Sequence, residues 1–144
     1  MTTREDITKT AYSWLDTPYQ HQSGCKGVGV DCAYFVGKVA EESGMIDKFK
    51  VDPYSIEWHW HSKEEVMCQI IESFGCVEIQ KEDMLPGDIL AFKYGRVCSH
   101  VGILLKYDRF IHANLKAEKV IVNSMSGDFL DRLERVYRFP NIEE

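Results

Sequence analysis

Three side chains suited to nucleophilic and acid–base chemistry stand out in the sequence: Cys32, His100 and His112. Apolar residues recur at helical spacing directly after Asp31, which predicts that Cys32 lies in the first turn of a helix. The unpaired backbone N–H groups at a helix start favour the thiolate, which is the nucleophilic form of cysteine. We therefore expect the pKa of Cys32 to lie below that of a free thiol, with a histidine partner lowering it further.

The two histidines lie in neighbouring β-rich segments, 99–105 and 110–113. Adjacent antiparallel strands joined by the short segment 106–109 would bring both imidazoles onto one face, within hydrogen-bonding reach. A cysteine, a base and a residue that orients the base form the catalytic set of a thiol hydrolase. The structural alternative is a small buried cysteine in a helix, accompanied by histidines that only pack in strands.

Three helices are predicted in the N-terminal half. The first follows a capping-box pattern, Thr-x-x-Glu, at residues 2–5 and stops at the Thr-Pro of residues 17–18. The second covers 31–44 and ends at a glycine. The third covers 62–75, opens with Ser-x-x-Glu and also ends at a glycine. The segment 19–31, which carries three glycines, is predicted to be a loop that delivers functional residues.

The C-terminal half contains short β-type runs separated by turn residues. These runs are 76–79, 89–93, 99–105, 110–113, 120–123 and 135–139. Helices followed by strands predict an α+β fold, in which N-terminal helices pack on a C-terminal antiparallel sheet of about five or six strands.

Length and composition exclude several classes of protein. The 144 residues, 44% of them hydrophobic, suffice for one domain over 1–144 with a core that needs no disulfide. Seventeen scattered basic residues against twenty-three acidic ones give a net charge of −6, which argues against a nucleic-acid partner. There is no apolar run long enough for a membrane span and no signal-peptide pattern, so we expect synthesis in the cytoplasm. Five cysteines without a Cys-x-x-Cys pair argue against a disulfide framework and a zinc ribbon.

Five short motifs, in this order, resemble the NlpC-type papain-like cysteine peptidases that cut bacterial cell-wall peptides. They are Thr17-Pro18-Tyr19, Gly29-Val30-Asp31-Cys32, Leu85-Pro86-Gly87-Asp88-Ile89-Leu90-Ala91-Phe92, Ser99-His100-Val101-Gly102-Ile103 and Phe110-Ile111-His112-Ala113. The resemblance is closest to the phage-encoded branch, to which four further segments are similar: 19–22, 26–29, the aromatic cluster 58–61 and 137–140. It implies a papain-like fold over nearly the whole chain.

The resemblance also implies roles for individual residues: Cys32 as the nucleophile, His100 as general base and acid, and His112 as the residue that orients His100. Three residues are implied to serve oxyanion or substrate binding: Tyr19, Asp31 and Ser99. The implied substrate is a peptidoglycan stem peptide, cut between D-γ-glutamate and the diamino acid through a Cys32 thioester, without a metal or cofactor. One departure concerns substrate contacts, because Ala33 and Tyr34 follow the cysteine where many relatives carry a small serine.

Other interpretations of these residues stay open. Cys32, His100 and His112 could bind zinc as three ligands, with water as the fourth. A thiol acyl-transfer enzyme could act on another substrate, and a phage tail or assembly module could keep the scaffold without catalysis. Because the chain carries no wall-binding repeat, we hypothesise delivery to the cell wall or periplasm by phage tail proteins.

The remaining histidines and cysteines are predicted to be structural. His59 and His61 alternate with two tryptophans, which favours a packed aromatic segment beside the cleft over a metal site. His21 is expected to form a hydrogen bond to the local backbone. The other thiols are interpreted as structural or incidental: Cys25, Cys68, Cys76 and Cys98.

Overall fold

The computed structural model describes residues 1–54, 63–106 and 108–143. The helices in these residues are α1 (Arg4–Tyr12), α2 (Cys32–Glu42), α3 (Val66–Ser73) and the short α4 (Gly127–Arg132). A 3-10 turn covers Lys81–Asp83. None of the described helices has the length and apolar character needed to cross a membrane.

The described strands form two antiparallel sheets. A short ribbon pairs β1 (Gly24–Cys25) with β2 (Gly29–Val30) inside the segment predicted to be a loop. The main sheet contains β3 (Val77–Ile79), β4 (Ile89–Tyr94), β5 (Val97–Lys106), β6 (Arg109–Asn114), β7 (Lys119–Ser124) and β8 (Leu133–Arg138). Its strand order is β3-β8-β4-β5-β6-β7, and every neighbouring pair is antiparallel. The predicted α+β fold, with six strands in its main sheet, is confirmed.

Both faces of the main sheet are covered by apolar side chains, because residues along a strand point alternately to either side. One face packs against α1, α2 and α3, and Ile103 and Ile111 lie in this larger core. The opposite face carries a second cluster that includes Phe92 and Phe110, against which Phe129 of α4 packs. The sequence analysis missed α4, since a helix of six residues is too short to show a helical period.

The start of α1 lies one residue later than predicted. Thr3, not Thr2, is the N-cap: its hydroxyl accepts from the Asp6 N–H, and the Asp6 carboxylate accepts from the Thr3 N–H. Thr2 instead donates to the carbonyl of Ser43 and ties the N-terminal segment to the end of α2. The helix also ends earlier than predicted, so that Trp14 enters the core from the turn that follows it.

The second helix begins where it was predicted, whereas the third begins later than predicted, at Val66. Helix α2 begins at Cys32, the residue that the apolar spacing indicated. Helix α3 begins after Glu65, whose side chain makes no capping hydrogen bond. Ser62, the predicted cap of that helix, lies outside the described residues, as does the aromatic cluster 58–61.

Asp88 anchors the turn that leads into β4. Its carboxylate is fully buried and forms ion pairs with Arg4 of α1 at 3.0 Å and Arg138 of β8 at 2.9 Å. It also accepts from the Leu85 N–H at 2.8 Å. Gly87 has a φ of +93°, a left-handed conformation that glycine adopts at little cost. The turn therefore joins the first helix to the last strand.

Candidate active site

Cys32 lies where the β1–β2 ribbon leads into α2. Asp31 is the N-cap of this helix, and its Oδ1 accepts from the Tyr34 N–H at 2.9 Å. Backbone groups of Val101, Ala33 and Cys32 itself are within hydrogen-bonding reach of the thiol. The contact with Val101 brings the sulfur to strand β5 beside His100, which joins two parts of the predicted site.

The geometry of Asp31 is that of a positioning residue, and its expected role in substrate binding stays a prediction. Its carboxylate is fully buried, and Oδ2 accepts from the Gln22 N–H at 2.7 Å and from the Tyr54 hydroxyl. Together with the Tyr34 N–H, these donors give the carboxylate three hydrogen bonds, and Nδ1 of His21 lies 3.9 Å from Oδ2. The charge of Asp31 therefore holds the ribbon and the helix start in place, and its side chain does not line the cavity.

The two histidines form a hydrogen-bonded chain that ends at an asparagine. His100 Nε2 lies 2.6 Å from His112 Nδ1, and His112 Nε2 lies 2.7 Å from Asn123 Oδ1. An amide oxygen can only accept, so His112 donates from Nε2 and accepts at Nδ1. His100 must then donate from Nε2, which leaves its Nδ1 unprotonated. This tautomer gives His100 a free basic nitrogen.

Strand register explains how the imidazoles meet. Ile103 pairs with Ile111, so His112 lies beside Gly102 and diagonally from His100. A Cβ atom at Gly102 would lie 3.1 Å from Cβ of His112 and 3.0 Å from the carbonyl oxygen of Ile111. The glycine therefore leaves the space that the His112 ring needs to reach across to His100.

A cavity of about 590 Å³, partly open to solvent, brings four of the predicted site residues together. Its lining residues are Tyr19, Cys32, Tyr94, Ser99, His100, Asn114, Leu115, Lys116, Asp128 and Phe129. His112 lies beneath this lining and is fully buried. The volume falls in the range of about 300–1,000 Å³ typical of small-ligand sites.

The thiol is protonated in the resting site, which corrects the expectation of a depressed pKa. Burial, and then the charge of Asp31, raise the pKa of Cys32 to about 12. The backbone groups at the helix start lower it, as predicted, but they do not outweigh the loss of solvation. Cys32 therefore needs a base at the moment of attack.

Both imidazoles are neutral near pH 7. Burial, and secondarily His112, hold the pKa of His100 well below its ordinary value of 6.5. Burial also lowers the pKa of His112 to about 4, although the hydrogen bond with Asn123 partly opposes this. A neutral thiol beside a neutral imidazole is suited to general-base catalysis, in which the proton moves as the sulfur attacks.

Tyr19 and Ser99 both line the cavity, where they had been expected to bind an oxyanion or substrate. Burial, followed by the charges of Cys32 and Asp31, raises the pKa of Tyr19 above its ordinary value of 10. Its hydroxyl therefore keeps its proton and remains a hydrogen-bond donor. The backbone of Tyr19 is fixed by a hydrogen bond of 2.8 Å from its N–H to the Glu118 carbonyl.

The other candidate residues take different places. His21 Nε2 lies 2.9 Å from the carbonyl oxygen of Tyr54, so the predicted backbone contact exists, but its partner is distant in sequence. Cys25 is exposed. A zinc ion bound to Cys32, His100 and His112 would require a free nitrogen on His112, and both of its nitrogens already have partners.

Several residues of the site were missed by the sequence analysis. Asn123 could have been noticed as a polar residue that closes the apolar run Val120, Ile121, Val122. Tyr54, which donates to Asp31, follows a proline in a segment without a period and gave no signal. The cavity-lining residues of the β6–β7 turn and of α4 are separated from the motifs in sequence and could be found only by tertiary contact.

The fold and the site together define a papain-like α+β protein whose helix-start cysteine shares a cavity with a strand histidine. The chain belongs to the NlpC/P60 family, because the model of that family matches residues 16–136. The predicted family is thus confirmed, whereas the phage-encoded branch stays a prediction.

Two curated relatives illustrate the similarity. The chain is 29% identical over 125 residues to a Haemophilus influenzae protein named "Probable endopeptidase", covering 85% of this chain and 66% of the relative. It is 32% identical over 104 residues to "Probable endopeptidase NlpC" of Escherichia coli K12, covering 71% of this chain and 56% of the relative. The chain therefore spans less than two thirds of the length of these relatives.

Solved structures share the fold. The NlpC/p60 domain of the peptidoglycan hydrolase SagA superposes with a TM-score of 0.64 at 19% identity, covering 94% of this chain and 98% of that domain. An NlpC/P60 family protein from Bacillus cereus superposes with a TM-score of 0.69 at 19% identity, covering 96% of this chain and 41% of that protein. At this identity the similarity establishes the fold alone.

Proposed function

We propose that this chain is a cysteine peptidase that hydrolyses amide bonds in peptidoglycan stem peptides through a Cys32 thioester. The observation that carries the proposal is the convergence of Cys32 and His100 on one cavity, with His100 hydrogen-bonded to His112. The substrate class is supported by relatives named endopeptidases and by a structural neighbour named a peptidoglycan hydrolase.

In the proposed reaction, Nδ1 of His100 takes the thiol proton as Sγ of Cys32 forms a bond to the amide carbonyl carbon. The Cys32 N–H and the Tyr19 hydroxyl donate hydrogen bonds to the developing oxyanion. His100 then gives the proton to the leaving amine, and the C–N bond breaks to leave a thioester. Water, deprotonated by His100, hydrolyses the thioester and restores the thiol.

We propose the bond between D-γ-glutamate and the diamino acid as the cleavage site. A γ-linked glutamate keeps a free α-carboxylate, and a diamino acid carries a second amine. The cavity lining contains one basic side chain, Lys116, and one acidic side chain, Asp128. Lys116 is suited to the carboxylate, whereas Asp128 already forms an ion pair of 2.9 Å with Arg132. Replacing Lys116 with alanine is therefore expected to raise KM more than it lowers kcat.

Digestion of purified peptidoglycan, followed by mass spectrometry of the released peptides, tests the proposal. Wild type should release peptides that begin with the diamino acid, leaving D-glutamate as the last residue of the stem on the glycan, and Cys32→Ala should release none. Cys25→Ala is the matched control, because Cys25 is an exposed thiol and should be dispensable. Equal release by wild type and Cys32→Ala would refute the proposed nucleophile. Inactivity of both, with Cys32 still open to alkylation, would favour another acyl substrate or a non-catalytic module.

Replacement of the histidines tests the proposed roles separately. His100→Ala should lower kcat by about 10²–10⁴-fold, the usual contribution of a general base. His112→Gln should have a smaller effect, because it removes only the partner that fixes the tautomer of His100. Equal losses in the two variants would show that His112 does more than orient the base.

We also propose that a phage tail structure delivers the protein to the wall. The net charge of −6 would not hold this chain to an anionic wall without a partner. Copurification of the chain with tail proteins from infected cells is the expected result. Recovery of the protein only in free form would contradict this route without affecting the peptidase proposal.

A further inference from the structure

We propose that Glu65, Cys68 and Cys98 form a zinc-binding site that is separate from the candidate active site. Glu65 precedes α3, Cys68 lies in the first turn of that helix, and Cys98 lies in β5. One carboxylate oxygen and the two sulfurs all lie within 4.8 Å of one another. Within residues 1–54, 63–106 and 108–143, no other set of three histidine, cysteine or acidic residues converges this closely.

The spacing suits a tetrahedral ion. Zinc binds thiolate sulfur at about 2.3 Å and carboxylate oxygen at about 2.0–2.2 Å, so two sulfurs on one zinc lie about 3.8 Å apart. The three atoms would thus need to move together by about 1 Å at most. Thiolate ligands favour zinc over magnesium or calcium, which prefer oxygen ligands.

The side chains already point at a common centre. Glu65 does not cap α3 with its carboxylate; its Oε2 instead accepts from the Cys98 N–H at 3.2 Å and lies 3.4 Å from Cys68 Sγ. Both thiols are buried, with 1% and 0% exposure. Glu65 is only partly buried, which leaves a route for an ion from solvent. A disulfide between Cys68 and Cys98 would not explain why the Glu65 carboxylate also points at these two residues.

Charge and proton balance are consistent with a divalent ion. Binding would release one proton from each thiol, so two thiolates and one carboxylate would hold Zn²⁺ with a net charge of −1. Arg135 interacts electrostatically with both Cys68 and Glu65 and would offset that charge. Three protein ligands leave the fourth position of zinc to a water molecule.

The site would connect the start of α3 to the strand that carries the candidate base. Cys98 immediately precedes Ser99 and His100 in β5. None of the three ligands lines the cavity that contains Cys32, so the inference does not depend on the proposed peptidase function. Zinc bound here is expected to strengthen the contact between the helix and the strand.

Titration of the reduced, metal-free full chain with Co²⁺, a spectroscopic substitute for Zn²⁺, tests the site. A Cys32→Ala background removes the active-site thiol from the signal. We expect one Co²⁺ per chain, with thiolate-to-cobalt charge-transfer absorption, tetrahedral d–d bands and displacement by Zn²⁺. Cys68→Ser and Cys98→Ser should each weaken binding by about 100-fold or more, since even partners that only orient a ligand contribute about 10–100-fold.

Two further variants test whether Co²⁺ binding depends on the proposed ligands in particular. Cys76→Ser replaces another buried thiol that lies outside the cluster and should bind Co²⁺ as the parent does. Glu65→Gln alters a partly exposed residue, so the chain should stay folded by circular dichroism yet bind at least about tenfold more weakly. The site is refuted if the folded parent shows no charge-transfer absorption, or if this absorption survives both cysteine replacements. A native Cys68–Cys98 disulfide whose reduced form binds no Co²⁺ would also refute it.

Discussion

Among the residues that the structure describes, two carboxylates are completely buried, Asp31 at the candidate active site and Asp88 at the turn before β4, and they are stabilised differently. Asp88 has two guanidinium partners, Arg4 and Arg138, which bring countercharge. The hydrogen bonds to Asp31 come from neutral donors: two backbone N–H groups and the Tyr54 hydroxyl. One carboxylate belongs to an ion-pair cluster, whereas the other is held by neutral hydrogen-bond donors and lies 3.9 Å from Nδ1 of His21.

The two carboxylates therefore differ in their consequences: Asp88 stabilises the turn before β4, and Asp31 influences the pKa of groups at the candidate active site. The charge of Asp31 contributes to raising the pKa of Cys32, Tyr19 and Tyr54, after burial in each case. The charge of Asp88 contributes in the same way to Cys76, which lies outside the cavity lining. Helix capping by a charged residue thus has a second consequence at the site, because the cap that places Cys32 also keeps its thiol protonated.

The largest expected effect is on stability at the Asp88 cluster. Asp88→Asn removes the buried carboxylate that pairs with two partly buried guanidinium groups and should lower the free energy of unfolding by about 3–5 kcal/mol. Urea unfolding measures the change, with Glu5→Gln as control because the Glu5–Lys9 pair is exposed and worth about 0.5 kcal/mol or less. A loss below 1 kcal/mol at Asp88 would show that the ion pairs do not anchor the turn.

A smaller loss of stability, accompanied by a change in reactivity, is expected at Asp31. Asp31→Asn keeps one oxygen for the Tyr34 N–H but weakens the other contacts, and should cost about 1–3 kcal/mol. Removing the negative charge should lower the pKa of Cys32, so that more thiolate is present at any pH below that pKa. The thiolate fraction of Cys32 should rise about tenfold for each unit by which the pKa falls, and alkylation by iodoacetamide should accelerate by less than that, because a thiolate of lower pKa is a weaker nucleophile.

Peptide mass spectrometry of the alkylated chain distinguishes the two carboxylates. Asp88→Asn should leave the pH profile of Cys32 alkylation unchanged under conditions where the variant is folded. If both variants shifted that profile equally, the pKa of Cys32 would not depend on Asp31 in particular, and the proposed difference between the two carboxylates would be wrong. An unchanged rate in Asp31→Asn would show that burial alone sets the thiol pKa.

The histidine chain is expected to affect stability least at neutral pH, and its contribution changes only as the pH falls. The pKa of His112 is about 4 in the folded protein, against about 6.5 when unfolded. Between these values only the unfolded chain binds the proton, so stability falls as pH decreases from 6.5 to 4, by up to about 1.4 kcal/mol per pH unit. Unfolding curves of wild type and His112→Gln should diverge in this window, since glutamine does not titrate. Parallel curves would contradict a buried neutral His112.

Sequence patterns located the principal site residues because each lies in a locally determined position. Apolar spacing after Asp31 predicts the start of α2, and alternation predicts strands at His100 and His112. The protonation state of Cys32 could not be predicted from such local patterns. The helix start favours thiolate, but the pKa depends on how much solvent the whole fold removes from the sulfur.

The fold shows the same difference between features that local patterns predict and features that depend on tertiary contacts. All six β-type runs became strands of the main sheet, since each carries its own apolar pattern and turn residues. The capping of α1 was predicted one residue too early, because Thr2 and Thr3 are adjacent and the choice depends on the tertiary contact between Thr2 and Ser43. Helix α4 was missed because six residues are too few to show a helical period, and the place of its cavity residue Phe129 depends on packing against the sheet.

The sequence by itself determined the α+β architecture, the family motifs and the placement of Cys32 at a helix start, because these follow from local spacing and short-range hydrogen bonds. Only the tertiary structure decided that Asn123 completes the histidine chain, that Asp31 is buried beneath the site, and that the distant Cys98 meets Glu65 and Cys68. The physical reason is that burial and electrostatic neighbours arise from residues far apart in the chain, and no local pattern encodes which of them will meet.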